Sequence, residues 1–272
     1  MQKLSLNDAW NETVSFVGRE GRLLFPLAFM LIALPSGIVT AMMPEVAPGT
    51  LPPAGAWMIV LLVSIILGMG GQIALSFLAL HANRSVGEAI GRGLRRLPAL
   101  IGAVLLVALA GAVVMLVAAA LLVLLSPNLD AAAPDAEAVS GAVAILSLIL
   151  IAAGLYFGAR LLMMTPLAAA EDLGSVQLIR RSWALTAGHV FRLLGFMLMV
   201  IALAIVINGA FAWVSGSAII LVAGPPRSGS LSSFLILLVG AAVQTVLTVF
   251  MSVIVARVYA QLTGGVSLTK GI

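Results

Sequence analysis

The side chains that could do chemistry are few, and they lie outside the long apolar stretches of the chain. None of the 10 acidic residues falls inside such a stretch, and the two histidines, His81 and His189, lie at the ends of apolar runs. Cysteine is absent, which excludes disulfides, thiolate catalysis and cysteine-ligated metals. The chain also lacks the HExxH, GxSxG and Walker-type motifs. We therefore expect no catalytic residue, no metal site and no cofactor.

Arginines are the remaining groups with distinctive chemistry, because a guanidinium fork suits a phosphate or a carboxylate. Arg160 and Arg257 each follow an alanine near the end of an apolar run. Their side chains either snorkel to the lipid headgroups, pair with Glu171 or Asp172, or hold an anionic headgroup. Two clusters beside other apolar runs are topology determinants or further contacts for anionic lipids: Arg92, Arg95 and Arg96, and Arg180 and Arg181.

Uncharged polar side chains inside the apolar runs are a second set of candidates. Amides within a bilayer usually form hydrogen bonds between helices, and the alternative is that they line a substrate path. Glycines in such runs allow helices to approach closely. The three amides are Gln72, Asn208 and Gln244, and the glycines are Gly68, Gly70 and Gly71.

The elements that must position these residues are membrane-spanning helices. Of the 272 residues 62% are apolar and only 9% are charged, against roughly 25% charged in a soluble domain. Six continuous apolar runs reach the length of about 20 residues that a helical span needs, and their lack of alternation argues against a transmembrane barrel. These spans are Leu23–Met43, Trp57–Leu80, Ala99–Leu125, Gly141–Met163, Leu193–Trp213 and Phe234–Ala256.

The basic residues predict the orientation of the spans. Of the 14 basic residues, only Arg227 falls in the loops after the odd-numbered spans, whereas the loop 126–140 is acidic. Basic residues favour the cytoplasmic side. Both termini should therefore be cytoplasmic. Arginine is far commoner than lysine, which is a hint of a GC-rich bacterial genome. We expect a multi-pass membrane protein, and the family resemblance described below implies a bacterial inner membrane.

The chain is predicted to repeat one unit three times within a single membrane domain, 1–272. Ser5-Leu6, Ser85-Val86 and Ser175-Val176 each open a short segment that leads into two spans. The units cover residues 5–80, 85–163 and 175–256. Three copies in the same orientation suggest a pseudo-threefold axis along the membrane normal, as in transporters with parallel repeats.

The segment that opens each unit is predicted to be an amphipathic helix at the membrane surface. Ser85-x-x-Glu88 matches a capping box, and Ser5-x-x-Asp8 is a near match. Apolar residues recur at helical spacing behind both, with charged residues on the opposite face. Pro35 should kink the first span.

The segment 160–188 resembles a bacterial family, the membrane domain attached to some glycerophosphoryl diester phosphodiesterases, together with the YciC-like inner-membrane proteins. The resemblance rests on a pattern that reads "R…P…E…RSW-L-T-G" in both. It implies a six-span membrane module without the soluble catalytic barrel, and it transfers no catalytic role. The matching positions are Arg160, Pro166, Glu171, Ser182, Trp183 and Gly188. Among these, Ser182 and Gly188 would shape the amphipathic helix, and Glu171 would offset nearby arginines.

Three functions remain open at this point. The first is a protein without enzymatic activity that binds or organises membrane lipids, anionic ones above all, or protein partners including copies of itself, and that binds no nucleic acid. The second is a transporter or channel, which needs a polar cavity near the bilayer midplane. The third is an enzyme acting on lipid headgroups, which needs two of His81, His189 and Glu171 within hydrogen-bond reach.

Overall fold

The protein is an all-helical bundle with six helices long and apolar enough to cross a membrane. The structure, a computed structural model, describes residues 5–44, 52–81, 84–125, 136–225 and 230–264. Arg227, the acidic stretch 126–135 and the tail after residue 264 lie outside this part of the chain. The described helices are α1 (Leu6–Ala28), α2 (Leu34–Met42), α3 (Ala56–Leu80), α4 (Val86–Leu125), α5 (Ala136–Leu161), α6 (Met164–Ala170), α7 (Ser175–Thr186), α8 (Val190–Ala223) and α9 (Leu231–Leu262).

Successive long helices alternate in direction, so each end of the bundle brings together the starts of some helices and the ends of others. The start of α1 lies beside the end of α9, where the Ser5 amide donates to Gln261 Oε1 at 3.2 Å. The start of α4 reaches the link between α6 and α7 through Arg92 and Asp172, at 2.7 Å. Both contacts lie at the end of the bundle that carries most of the arginines, and we call it the basic end. It consists of the first turns of α1, α4 and α8, the last turns of α3, α5 and α9, and all of α6 and α7. The opposite end is the far end.

The amphipathic segments differ from the prediction in two units out of three. In the first and second units the segment is continuous with the span that follows, as the stretches Asn7–Met42 and Val86–Leu121. Each has 36 residues, or about 54 Å at about 1.5 Å per residue, against a hydrocarbon core of about 30 Å. The charged segment is therefore the projecting end of a long helix. Only α7 is a separate helix.

The separation of α7 from α8 has a local cause. The backbone of Gly188 has a φ of 85°, in the left-handed region that residues with a Cβ rarely adopt. The helix ends at Thr186 and restarts at Val190, which gives Gly188 the role in the helix exit that the sequence predicted. The first segment carries Gly18 at the matching position, inside a continuous helix. A glycine permits this break without requiring it.

The first span deforms where proline interrupts its hydrogen bonds, as predicted. Pro35 has no amide hydrogen, and its ring clashes with the carbonyl four residues earlier. The turn before it, Phe29–Ala33, is π-helical, and the Leu34 amide donates to the carbonyl of Phe29, five residues back. The wider turn absorbs the distortion without ending the span.

The helix starts bear out the capping predictions. At the start of α4, the Glu88 amide donates to Ser85 Oγ at 3.2 Å and the Ser85 amide donates to Glu88 Oε2 at 3.4 Å, so the box is complete. At α1, the Asp8 amide donates to Ser5 Oγ at 3.3 Å, which is half of a box. The start of α7 has the other bond of a capping box, in which the side chain of the third helical residue accepts from the backbone amide before the helix. The Gly174 amide donates to Gln177 Oε1.

The core lies toward the basic end, where α3, α6 and α9 meet. Leu75, Leu167 and Val253, one from each helix, are fully buried. The far halves of α4, α5 and α8 expose their apolar side chains instead, with Trp213 79% and Val222 90% exposed. Such a surface is stable in lipid, which solvates apolar side chains, and not in water.

Glycines allow the backbones of α3 and α4 to approach each other closely in this core. A Cβ added to Gly93 would lie 2.6 Å from the Gly70 carbonyl oxygen, and one added to Gly71 would lie 3.0 Å from Leu31 Cβ. The predicted close approach is thus confirmed for Gly70 and Gly71. It is wrong for Gly68, which has open space around it. Gly93, the partner on α4, was missed.

Candidate functional site

Two arginines of α4 converge on a single carboxylate at the basic end. Arg92 Nη1 donates to Asp172 Oδ1 at 2.7 Å, and Arg96 Nη2 contacts the same oxygen. Arg92 Nε also donates to the Ala169 carbonyl at 3.0 Å, which fixes its guanidinium plane. The two arginine side chains are 19% and 15% exposed, whereas Asp172 is 70% exposed. The spacing of four residues puts both arginines on one helix face.

Arg160 holds the start of the family-like motif together. Its guanidinium lies 4.9 Å from the centre of the Trp183 ring and donates to the Trp183 carbonyl at 3.2 Å. Nη2 donates to the Tyr156 hydroxyl at 3.1 Å. In the opposite sense, Ser182 Oγ donates to the Arg160 carbonyl at 2.7 Å. These contacts join the end of α5 to α7 and give Ser182 and Trp183 a mechanical role.

Arg257 occupies a corresponding position between α9 and α1. Its side chain is only 9% exposed and lies 4.8 Å from the centre of the Phe16 ring. Glu12 Oε2 is 3.9 Å from Nη1, and Nε is buried without a hydrogen-bond partner among the residues that the structure describes. A guanidinium over an aromatic face is attracted by the ring quadrupole, which offsets part of the cost of burial.

The predicted pairing of Arg160 and Arg257 with Glu171 or Asp172 is wrong. Asp172 is taken by Arg92 and Arg96. Glu171 accepts a hydrogen bond from the Tyr259 hydroxyl at 3.0 Å and lies 3.8 Å from Arg181 Nε. The reason is geometric: α6 turns the chain after α5 and carries both carboxylates away from the end of α5. Glu171 does offset a nearby arginine, as expected, and that arginine is Arg181.

Pro166 is the third residue of α6, the helix that makes this turn. It lies in the first turn of α6, where a missing amide hydrogen costs nothing, and it is buried. The sequence predicted one continuous span here, Gly141–Met163, without the short helix that follows. The alanine-rich segment after Pro166 was the sequence feature that could have indicated this short helix.

Several arginines at the basic end have no carboxylate partner among the described residues. Arg95 and Arg180 are exposed and form no ion pair there, although each neighbours an arginine that does. Three others share this property: Arg19, Arg22 and Arg192. These are the groups free to contact an anion without disrupting a contact within the protein.

The three amides of the spans do not come together. Gln72, Asn208 and Gln244 are all exposed, on α3, α8 and α9. Asn208 Nδ2 donates to the Ala204 carbonyl of its own helix at 2.8 Å. Within the described residues, no hydrogen bond joins the three amides to one another. The groove between α3 and α4, around Gly70 and Leu94, is apolar.

The two histidines are used separately. His81 caps the end of α3, with Nδ1 3.1 Å from the Phe77 carbonyl and its ring against that of Phe77. His189 precedes α8, and its Nδ1 is buried without a described partner. No hydrogen bond joins either histidine to the other or to Glu171 within the described residues.

Aromatic residues are the part of these contacts that sequence reasoning missed. Tyr156, Phe16 and Tyr259 each contact an arginine or a glutamate at the basic end. A signal existed for one of them. Tyr156 precedes Arg160 by four residues, so the two side chains share a helix face.

No protein-family model, curated protein or solved structure matches the chain.

Proposed function

We propose that this is a multi-pass inner-membrane protein that binds and organises anionic lipids at a cytoplasmic basic end, without enzymatic activity. The observation that carries the proposal is the set of exposed arginines without a carboxylate partner, which projects from helices anchored by their paired neighbours. Each basic residue near an anionic surface contributes about 1 kcal/mol.

The packing at the basic end supports the threefold repeat as part of this proposal. The last turns of α3 and α9 lie at the end of the second span of the first and third units, and the short α6 directly follows the second span of the second unit. These three elements pack against one another in the core. Each also contacts the opening segment of the next unit: α3 contacts α4, α6 contacts α7, and α9 contacts α1. The third contact closes the ring, as a pseudo-threefold arrangement requires. The family resemblance remains a further proposal.

The transporter alternative loses its main support. It needs Gln72, Asn208 and Gln244 to line a polar cavity, and within the described residues no hydrogen bond joins these three exposed side chains to one another. The enzyme alternative lacks the required pair of neighbouring acid and base groups among His81, His189 and Glu171. A function as a platform for protein partners remains compatible with the exposed apolar far half.

The test is mass spectrometry of lipids retained when the protein is extracted into native nanodiscs. Arg95→Gln combined with Arg180→Gln removes two unpaired charges and no ion pair. We expect loss of retained phosphatidylglycerol or cardiolipin, up to about 30-fold in partition for about 2 kcal/mol.

Arg84→Gln is the matched control for that double variant. Arg84 is also exposed at the basic end, but Glu88 lies 3.7 Å away and compensates its charge. We expect the control to keep its lipids. An unchanged lipid profile in the double variant overturns the proposal.

A further inference from the structure

The Arg92–Arg96–Asp172 cluster carries more positive charge than its carboxylate can neutralise. Two guanidinium groups, both more than four-fifths buried, share one oxygen of one carboxylate. A charge out of water needs a partner of its own. The Asp172 carboxylate is mostly hydrated, because 70% of its side chain is exposed. The pair therefore keeps an excess of about one positive charge.

Further donors at the cluster are not saturated. Arg96 Nε is buried and has no hydrogen-bond partner among the described residues. Arg95, one residue before Arg96 and three after Arg92, is exposed and unpaired. With the neighbouring Arg95 counted, this part of α4 carries three positive charges beside one aspartate, an excess of two. The Ala169 carbonyl holds Arg92 in place, so part of the site is fixed before any ligand arrives.

We propose that this cluster is a binding site for a phosphate monoester dianion, with Asp172 lying across its entrance. The proposal rests on the proposed function, because a cytoplasmic basic end places the cluster at the level of the lipid phosphates. A phosphate monoester carries a charge of about −1.5 to −2 at neutral pH, which matches the excess. Guanidinium groups donate paired N–H bonds to phosphate oxygens, and Arg92 and Arg96 lie on one face of α4 beside the same carboxylate.

Asp172 has a distinctive effect in this arrangement. Its carboxylate stabilises the arginines when the site is empty and repels the incoming dianion when the site fills. Removing its charge alone should therefore strengthen phosphate binding. A purely structural ion pair makes the opposite prediction, because its loss loosens the arginines and leaves binding unchanged or weaker.

The experiment compares Asp172→Asn with wild type for binding to two probes. The first is nanodiscs that contain phosphatidic acid, and the second is inorganic phosphate or glycerol 3-phosphate in solution. We expect Asp172→Asn to bind at least one probe about fivefold to tenfold more tightly, since about one like-charge contact is removed in water-accessible surroundings. Tighter binding of the lipid alone assigns the site to a headgroup, and tighter binding of the soluble probes assigns it to a free phosphate.

Glu88→Gln is the matched control, because Glu88 is an exposed carboxylate of the same helix that pairs with Arg84. Its affinity for the soluble probes should stay at the wild-type value. The variant does not serve as a control for the nanodiscs, because it leaves Arg84 without its carboxylate partner. Arg96→Gln should weaken binding of both probes. If Arg96→Gln fails to fold, the result for Asp172→Asn still decides the test. Unchanged or weaker binding of both probes by Asp172→Asn overturns this site. The general lipid proposal fails separately, through unchanged lipid retention in the Arg95/Arg180 double variant.

Discussion

The two ends of the bundle are held together by different means. At the basic end, buried side chains from three helices meet, and polar groups connect elements far apart in sequence, as Tyr259 does with Glu171. At the far end, the described helices present apolar side chains outward, and the Asn208 amide hydrogen-bonds within its own helix. One hydrogen bond links the end of α8 to α9 there, from Ser232 to the Pro225 carbonyl at 3.3 Å. The basic end specifies the arrangement of the helices. The far end needs only to be soluble in lipid.

This difference follows from the surroundings that each end meets. Within hydrocarbon, burial of apolar groups gives little gain, so association depends on close packing and interhelical hydrogen bonds. Close packing occurs where Gly70 meets Gly93, toward the basic end. Where the helices project into the interface, arginines reach aromatic rings and carbonyl groups, as Arg160 does. Substitutions at the two ends should therefore differ in effect even when the residue types match.

The largest difference is expected for a glycine-to-leucine pair in α4. Gly93→Leu drives a side chain into the Gly70 carbonyl, where even a Cβ would lie 2.6 Å away. We expect a loss of at least about 3 kcal/mol, or no folded protein, because backbone cannot move aside cheaply. Gly111→Leu should be neutral, since open space surrounds Gly111. Thermal unfolding in nanodiscs measures both, and equal effects would break the comparison.

A second pair tests the centre of the basic end against the far surface. Leu167 is fully buried in α6, whereas Leu148 of α5 is 68% exposed. Leu167→Ala should cost about 2–4 kcal/mol through the cavity it leaves. Leu148→Ala should cost less than about 0.5 kcal/mol, because lipid fills the space. If the Leu148 variant were the less stable of the two, a partner would have to cover that face.

Ser182 sharpens the comparison at the joint between α5 and α7. Its hydroxyl is fully buried and donates to the Arg160 carbonyl, so Ser182→Ala should cost about 1 kcal/mol. Ser15→Ala is the control: Ser15 is exposed and bonds only within its own helix, to the Glu12 carbonyl. Its unfolding temperature should not change. If Ser182→Ala left the stability unchanged, the claim that Ser182 holds α5 and α7 together would be wrong.

The smallest effect is expected for the exposed amides of the spans. Asn208→Leu and Gln244→Leu should change stability by less than about 0.6 kcal/mol, the average for an intramembrane hydrogen bond. Neither should alter the retained lipids. Unfolding in nanodiscs and lipid mass spectrometry check this together. A loss of more than about 2 kcal/mol would place these amides in an interface between chains.

The sequence predicts the large features of the fold because they follow from composition and length. Each of the six predicted spans coincides with one of the six long apolar helices, and two of the spans, the first and the fourth, run one or two residues past the helix end. The turn before Pro35 in the first span is π-helical. The short helix α6 was missed, because an apolar alanine-rich segment can continue a span or turn away from it. The fusion of the opening segments with α1 and α4 was missed for a related reason: amphipathic periodicity shows that a segment is helical and not where the helix bends.

The candidate site could be predicted in its residue types and only partly in its pairs. Arg92, Arg96 and Arg181 were candidates, and their carboxylates Asp172 and Glu171 were named as possible partners for other arginines. Which arginine meets which carboxylate depends on the turn made by α6, so spacing along the chain could not decide it. The contacts of Arg257 with Phe16 and Glu12 join the two ends of the chain, where local pattern carries no information.

The most direct test of the difference between the two ends is their accessibility across the membrane. The chain has no cysteine, so single cysteines can be introduced without a background. Asn11→Cys marks the basic end and Ala54→Cys the far end, and both positions are exposed. In intact cells, a membrane-impermeant maleimide should label Cys at position 54 and should label position 11 only after permeabilisation. Labelling of position 11 in intact cells, with position 54 protected, would contradict a cytoplasmic basic end and the lipid-binding role that depends on it.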